Sequence, residues 1–182
     1  MPKLLKSALA VSLLSLLSTP AAAMTRDQAV RAALDDEYGA QATYQATIET
    51  HGAARPFTNI LRAETMHEAM LKDYAARHGI TVPTNPYIGQ LPAPASLAEA
   101  CATGIQAEID NAGLYRNRLL PAAQGDTELT AIFSKLMTDS QQKHLQAFQR
   151  CGGTGGQQAQ RQQQGRAQGR TPGKGHGPRW KS

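Results

Sequence analysis

Glu64-Thr65-Met66-His67 lies inside a run in which Phe57, Ile60, Leu61, Met70, Leu71 and Tyr74 recur at helical spacing. A carboxylate and an imidazole three residues apart fall on one face of such a helix. Here that face is the apolar one. Glu-x-x-His is also the unit with which helix bundles hold iron or manganese in their cores. Taken alone the pair is common on wet surfaces, so its meaning depends on what the rest of the chain supplies.

The rest of the chain repeats it. Glu37 is followed seven residues later by Tyr44, and Glu108 seven residues later by Tyr115. His144 is preceded three residues earlier by Gln141. The order is Glu-x6-Tyr, Glu-x-x-His, Glu-x6-Tyr, Gln-x-x-His, an internal repeat of two halves with one carboxylate changed to an amide. Glu37, Glu64, His67, Glu108 and His144 are the candidate metal ligands, since carboxylate oxygens and imidazole nitrogens suit iron, manganese or zinc. The competing reading is a polar core satisfied by Glu–His hydrogen bonds alone. Three buried carboxylates facing two imidazoles would then carry uncompensated charge unless some held protons.

At these residues the sequence resembles the ferritin-like, rubrerythrin-type carboxylate-bridged metal proteins. More narrowly it is similar to the ferritin-like family called domain of unknown function 2202. The resemblance is carried by Leu34-Asp35-Asp36-Glu37-Tyr38, Arg55-Pro56-Phe57-Thr58-Asn59-Ile60, Glu64-x-x-His67 and His144-Leu145-Gln146-Ala147-Phe148, and it spans roughly residues 25–151. It implies an all-α, ferritin-like four-helix bundle with a long crossover between the second and third helices. It implies that Glu64 bridges two metals, that Glu37 and Glu108 bind terminally, and that Tyr44 and Tyr115 hydrogen-bond to the carboxylates. The cofactor implied is iron, as a pair or a single ion, with manganese or zinc as alternatives, and the activity by analogy is redox chemistry on oxygen or peroxide. Gln141 departs from the pattern, standing where the second bridging carboxylate belongs. An amide carries no charge and bridges cations poorly. The site then holds one metal firmly, or two joined by water or hydroxide. Asn111, three after Glu108, is likewise an amide where some relatives have an acid. The departure keeps a second reading open, a bundle without redox chemistry that serves as an envelope interaction or structural module.

The chain in order predicts four helices. Thr25-Arg26-Asp27-Gln28 is a capping box that opens the first, which runs to about Thr50 before His51-Gly52. Arg55-Pro56 opens the second, with proline in the first turn, and His78-Gly79 closes it. His51 and His78 read as helix-end caps. Residues 79–95 hold Pro83, Pro86, Pro92 and Pro94 and form no helix. Extended, they reach roughly 56 Å, enough to travel the length of a helix of about 36 Å. Ser96-Leu97-Ala98-Glu99 caps the third helix, which Pro121 ends; Asp126-Thr127-Glu128 caps the fourth, which runs to about Arg150.

Residues 1–23 read as a secretory leader: Lys3 and Lys6, the apolar run Ala8–Leu17, then Ala21-Ala22-Ala23 before cleavage, with an uncleaved anchor as the alternative. The apolar run is too short to span a bilayer, so the mature chain is expected to be exported, periplasmic or secreted, without a transmembrane segment. Two of the 19 basic residues lie in that leader and six after Cys151, leaving 11 against all 14 acids in 24–151. The expected folded part is therefore acidic, despite a net charge of +5 for the whole chain. Residues 152–182, rich in Gly, Gln and Arg, read as a disordered basic tail. Such a tail is either a solubilising extension or a weak contact for anionic surfaces. No motif specifies nucleic acid, and there is no phosphate loop, nucleophile triad or zinc-finger cysteine pattern. Cys101 and Cys151 are the only cysteines. They fall at the start of the third helix and the end of the fourth, which a short loop makes antiparallel, so a disulfide is expected over two free thiols.

Overall fold

The computed structural model describes residues 23–152, and among these the protein is all-α, with no strand. The expected leader and basic tail, apart from Ala23 and Gly152, lie outside the described residues. No helix among the described residues is long and apolar enough to cross a membrane.

The first helical rod is α1, Arg26–His51. Thr25 Oγ1 accepts the Gln28 N–H at 3.2 Å and Gln28 Oε1 accepts the Thr25 N–H at 2.9 Å, which completes the expected capping box. Gly52 ends the helix at φ +86°, a backbone conformation that costs glycine little and other residues much. The second rod, α2, is Phe57–Arg77, with Pro56 standing just ahead of the first turn as the cap.

Residues 78–96 form no helix and follow α1 instead. Arg31 donates to the Thr81 carbonyl, Tyr38 Oη to Pro83 at 2.8 Å and Tyr87 Oη to Asp35 at 2.7 Å. At the far end His51 Nε2 meets the Pro94 carbonyl at 2.7 Å. His51, expected to cap its own helix, thus anchors this connection. The segment covers α1 from its second turn to its last residue and delivers the chain beside that end.

The third rod begins at α3, Leu97–Leu114, with Ser96 Oγ accepting the Glu99 N–H at 3.1 Å. It continues through a π-helical turn, π1 (Tyr115–Leu119), into α4, Leu120–Ala122. Pro121 was expected to end the helix but lies inside it. The wide π turn comes just where the proline ring would otherwise meet the carbonyl four residues back. The fourth rod is also interrupted: α5 (Thr127–Asp139), π2 (Ser140–His144) and α6 (Leu145–Gly152). Asp126 caps it, accepting the Leu129 N–H at 2.9 Å. Cys101 and Cys151 are disulfide-bonded, with Cα atoms 5.9 Å apart, so the third and fourth rods are antiparallel as expected. Their packing is close at Gly104, where a Cβ would stand 2.8 Å from the Phe148 ring.

Two apolar clusters fill the interior. One contains Leu34, Leu71, Tyr74, Leu119, Leu129 and Phe133. The other contains Tyr44, Phe57, Ile60, Cys101 and Phe148, with Phe148 ring centroids 5.4 and 5.6 Å from Tyr44 and Phe57. In each rod the candidate ligands fall between a residue of the first cluster and one of the second. Glu37 lies between Leu34 and Tyr44, Glu64 and His67 between Ile60 and Leu71, Glu108 between Cys101 and Leu119, and His144 between Phe133 and Phe148. The fold therefore places one polar layer inside an otherwise apolar core.

Candidate metal centre

All five predicted ligands come together in that layer. Glu37, Glu64, His67, Glu108 and His144 are each at most 4% exposed. They form two triads, Glu37–Glu64–His67 and Glu64–Glu108–His144, and within each triad one donor atom per residue lies within 4.8 Å of the others. Glu64 belongs to both. Its Oε2 lies 2.9 Å from His67 Nδ1 and its Oε1 lies 3.1 Å from His144 Nδ1. Glu37 Oε2 approaches His67 Nδ1 at 3.3 Å, and Glu108 Oε1 approaches His144 Nδ1 at 3.5 Å. Both rings turn the same nitrogen inward and lie nearly parallel, with centroids 5.7 Å apart.

The repeated Glu-x6-Tyr spacing has a reciprocal outcome. Tyr115 Oη donates to Glu37 at 3.3 Å, and Tyr44 Oη donates to Glu108 at 3.4 Å. Each tyrosine serves the glutamate of the other rod, which requires α1 and α3 to be antiparallel. Burial, then the neighbouring carboxylate, pushes both phenols well above their ordinary value, so they remain donors.

Protons balance this cluster in the absence of metal. Burial opposes charge on both imidazoles, but Glu37 and Glu64 raise His67 to about 10, and Glu108 and Glu64 raise His144 to about 9. Burial would raise Glu64 as well; bonds from His144, His67 and Glu37 outweigh it and hold Glu64 at about 2. Glu37 is pushed well above its ordinary value, by burial first and then by the charge of Glu64. Without a metal the cluster thus favours protons on both imidazoles and on Glu37 and charge on Glu64. The same geometry fits divalent ions: two inward Nδ1 atoms and three carboxylates, one shared, are the donors that such cations take in helix bundles. A cation replaces the protons with the compensating charge that the buried acids require.

A cavity of about 350 Å³ reaches these residues from between α1 and α3. Gly39, Ala40, Thr43, Gly104 and Ala107 line it and leave it room. Asp36 and Asn111 also line it, and the Asn111 amide donates to Asp36. Burial, partly offset by Asn111 and reinforced by Glu64 and Glu108, lifts Asp36 to about 6. Asn111 Oδ1 is buried without a partner, an acceptor left for whatever enters.

Gln141 does not stand where its spacing from His144 suggests. Its side chain is half-buried and donates at 2.7 Å to the backbone carbonyl of Glu108. Inside a π turn, residues three apart no longer stack on one face, and the Gln141 amide bonds a backbone carbonyl rather than a carboxylate. Ser140 and Asp139 are the buried residues at that point instead. Asp139 has no place in the repeat. Its Oδ2 lies 3.3 Å from His67 Nε2, on the far side of the ring from the triad. Lys135 and Lys143, each one helical turn away, bind its two oxygens at 2.5 and 2.6 Å and hold the carboxyl well below its ordinary value against the opposing effect of burial. In sequence a Lys-x3-Asp-x3-Lys series reads as a solvated ion-pair face, which conceals the contact. Glu68 and Asp110 find partners outside the cluster, Glu68 in Gln41 and Lys72, Asp110 in Gln106.

No protein-family model matches this chain, and no curated protein or solved structure matches it either.

Proposed function

We propose that this chain is an exported, ferritin-like metal-binding protein whose core holds iron, singly or as a pair, with manganese or zinc as alternatives. The observation that carries the reading is the pair of buried triads sharing Glu64, with donor atoms within 4.8 Å in each. Surface acids gather without a metal, but three carboxylates and two inward imidazoles at most 4% exposed are costly to keep unless a cation or protons offset them. The ferritin-like four-helix bundle with a long crossover is supported by the course of residues 78–96 along α1 and by the antiparallel third and fourth rods. Export is supported by the leader-like sequence of residues 1–23 and by the disulfide, which suits an oxidising compartment.

A bound iron pair would supply redox chemistry toward oxygen or peroxide. The chain's own residues would hold the ions through Glu37, Glu64, Glu108 and the Nδ1 atoms of His67 and His144, orient two carboxylates through Tyr44 and Tyr115, and admit small molecules between α1 and α3. The second reading, a redox-inactive envelope interaction or structural module, is favoured by one observation: the Glu–His contacts close with protons alone, the tightest at 2.9 Å. Metal analysis of protein purified without a histidine tag, before and after anaerobic iron loading, separates the two. Retained iron, lost on replacing Glu64, supports the first; iron at background level in both samples supports the second.

A further inference from the structure

The two triads have the same composition, two carboxylates including the shared Glu64 and one Nδ1, yet their surroundings differ on the outer side of each ring. His67 Nε2 faces Asp139 Oδ2 at 3.3 Å, and both residues are buried. His144 Nε2 has no such acceptor among the described residues. Asp139 reaches across from the fourth rod to a ring on the second, and the π turn Ser140–His144 begins directly after it. Lys135 Nζ and Lys143 Nζ take one carboxylate oxygen each. Both contacts lie on the outer side of the His67 ring, with the carboxylate that faces Nε2.

We infer that Asp139 makes the two metal positions unequal, holding His67 with its Nδ1 lone pair toward Glu37 and Glu64, so that the Glu37–Glu64–His67 position fills first. The inference rests on the metal-binding reading above. An imidazole that gives Nδ1 to an ion carries its proton on Nε2, and a carboxylate that accepts this proton fixes the tautomer and makes the ring the better donor. Asp139 is therefore a positioning residue and touches no ion itself. Removal of such a partner lowers metal affinity by about 10- to 100-fold.

The test is titration of the whole chain with Co(II), followed by calorimetry and by visible absorption of the bound ion. The wild-type protein is expected to bind in two steps. Asp139→Asn should weaken the tighter step by about 10- to 100-fold and leave the weaker one unchanged. The same loss should appear in a His144→Ala background, which keeps only the first position, and vanish in a His67→Ala background. If wild type takes only one ion, that ion should survive His144→Ala and be lost in His67→Ala. Asp139→Asn acting equally in both backgrounds would mark Asp139 as general scaffold and overturn the inference, as would two equal steps insensitive to the substitution. The metal reading itself would survive either result, whereas no binding of Co(II) by wild type would end both. One measurement needs no variant: nitrogen NMR of the zinc-loaded protein should find His67 bound through Nδ1 with its proton on Nε2. The opposite tautomer overturns the inference.

Discussion

The two helical hairpins supply similar candidate ligands from different backbones. The first, α1 and α2, is two unbroken α-helices that present Glu37, Glu64 and His67. The second presents Glu108 and His144 but is broken by the π turns Tyr115–Leu119 and Ser140–His144. Both turns include a residue of the centre, Tyr115 in one and His144 in the other. A π turn inserts one residue and resets which side chains face inward. In the second hairpin this carries Pro121 inside the rod, turns Gln141 to a backbone carbonyl and brings Asp139 to His67. The second hairpin is also the one stapled by Cys101–Cys151. Similar candidate ligands therefore do not require similar helices.

The strongest test of the comparison is Glu64→Ala, because Glu64 alone belongs to both triads. It should abolish metal binding at both positions, whereas Glu37→Ala and Glu108→Ala should each remove one; stoichiometry by elemental analysis reads this directly. If Glu64→Ala left binding intact, the shared-carboxylate arrangement would be wrong.

Acidity should move metal affinity and metal-free stability in opposite directions. His67 and His144 are held at about 10 and about 9, against an ordinary 6.5, so each ion must displace an imidazole proton at neutral pH. Apparent affinity should rise from pH 6 to pH 8, by about tenfold per pH unit for each proton displaced. A raised folded-state pKa contributes stability that is full below the ordinary value and is lost as pH rises through the raised one. The metal-free protein should therefore lose thermal stability between pH 6.5 and about 10. At the acid end, stability from Glu64 is full above 4.5 and disappears as pH falls toward about 2. A melting temperature that did not fall from pH 7 to pH 10 would contradict the imidazolium–carboxylate cluster.

Smaller effects concern the second hairpin alone. Replacing Cys101 and Cys151 with serine opens a loop of sequence separation 50 and should cost about 4 kcal/mol by denaturant unfolding. Hydrogen exchange should then rise in α3 and α6 before α1 and α2. Gln141→Glu restores the Glu-x-x-His spacing, yet it should leave metal stoichiometry unchanged and lower stability by about 1 kcal/mol, because a carboxylate cannot donate to the Glu108 carbonyl. A tighter or additional metal in that variant would show that residue 141 does face the centre.

The first hairpin was almost fully legible in the sequence. Capping residues, glycine terminators and an apolar stripe containing Glu37, Glu64 and His67 all obey the ordinary α-helical period. The proline-rich connection was legible from its length. Glu37, Glu64 and Glu108 stood out because acids on an apolar stripe are anomalous wherever they occur, and His67 and His144 because of their place in the repeat. What escaped was what the π turns rearranged: Asp139, masked by its two lysines, and the true direction of Gln141. The Asp36–Asn111 pair escaped for another reason, since it depends on how far apart α1 and α3 stand, and no local spacing encodes that.

The central claim is tested most directly by anaerobic titration of the untagged protein with Fe(II), beside Glu64→Ala under identical conditions. The account predicts that wild type takes up about one to two ions per chain and that Glu64→Ala takes up none. Iron uptake that is absent in wild type, or equal in the two proteins, would contradict it.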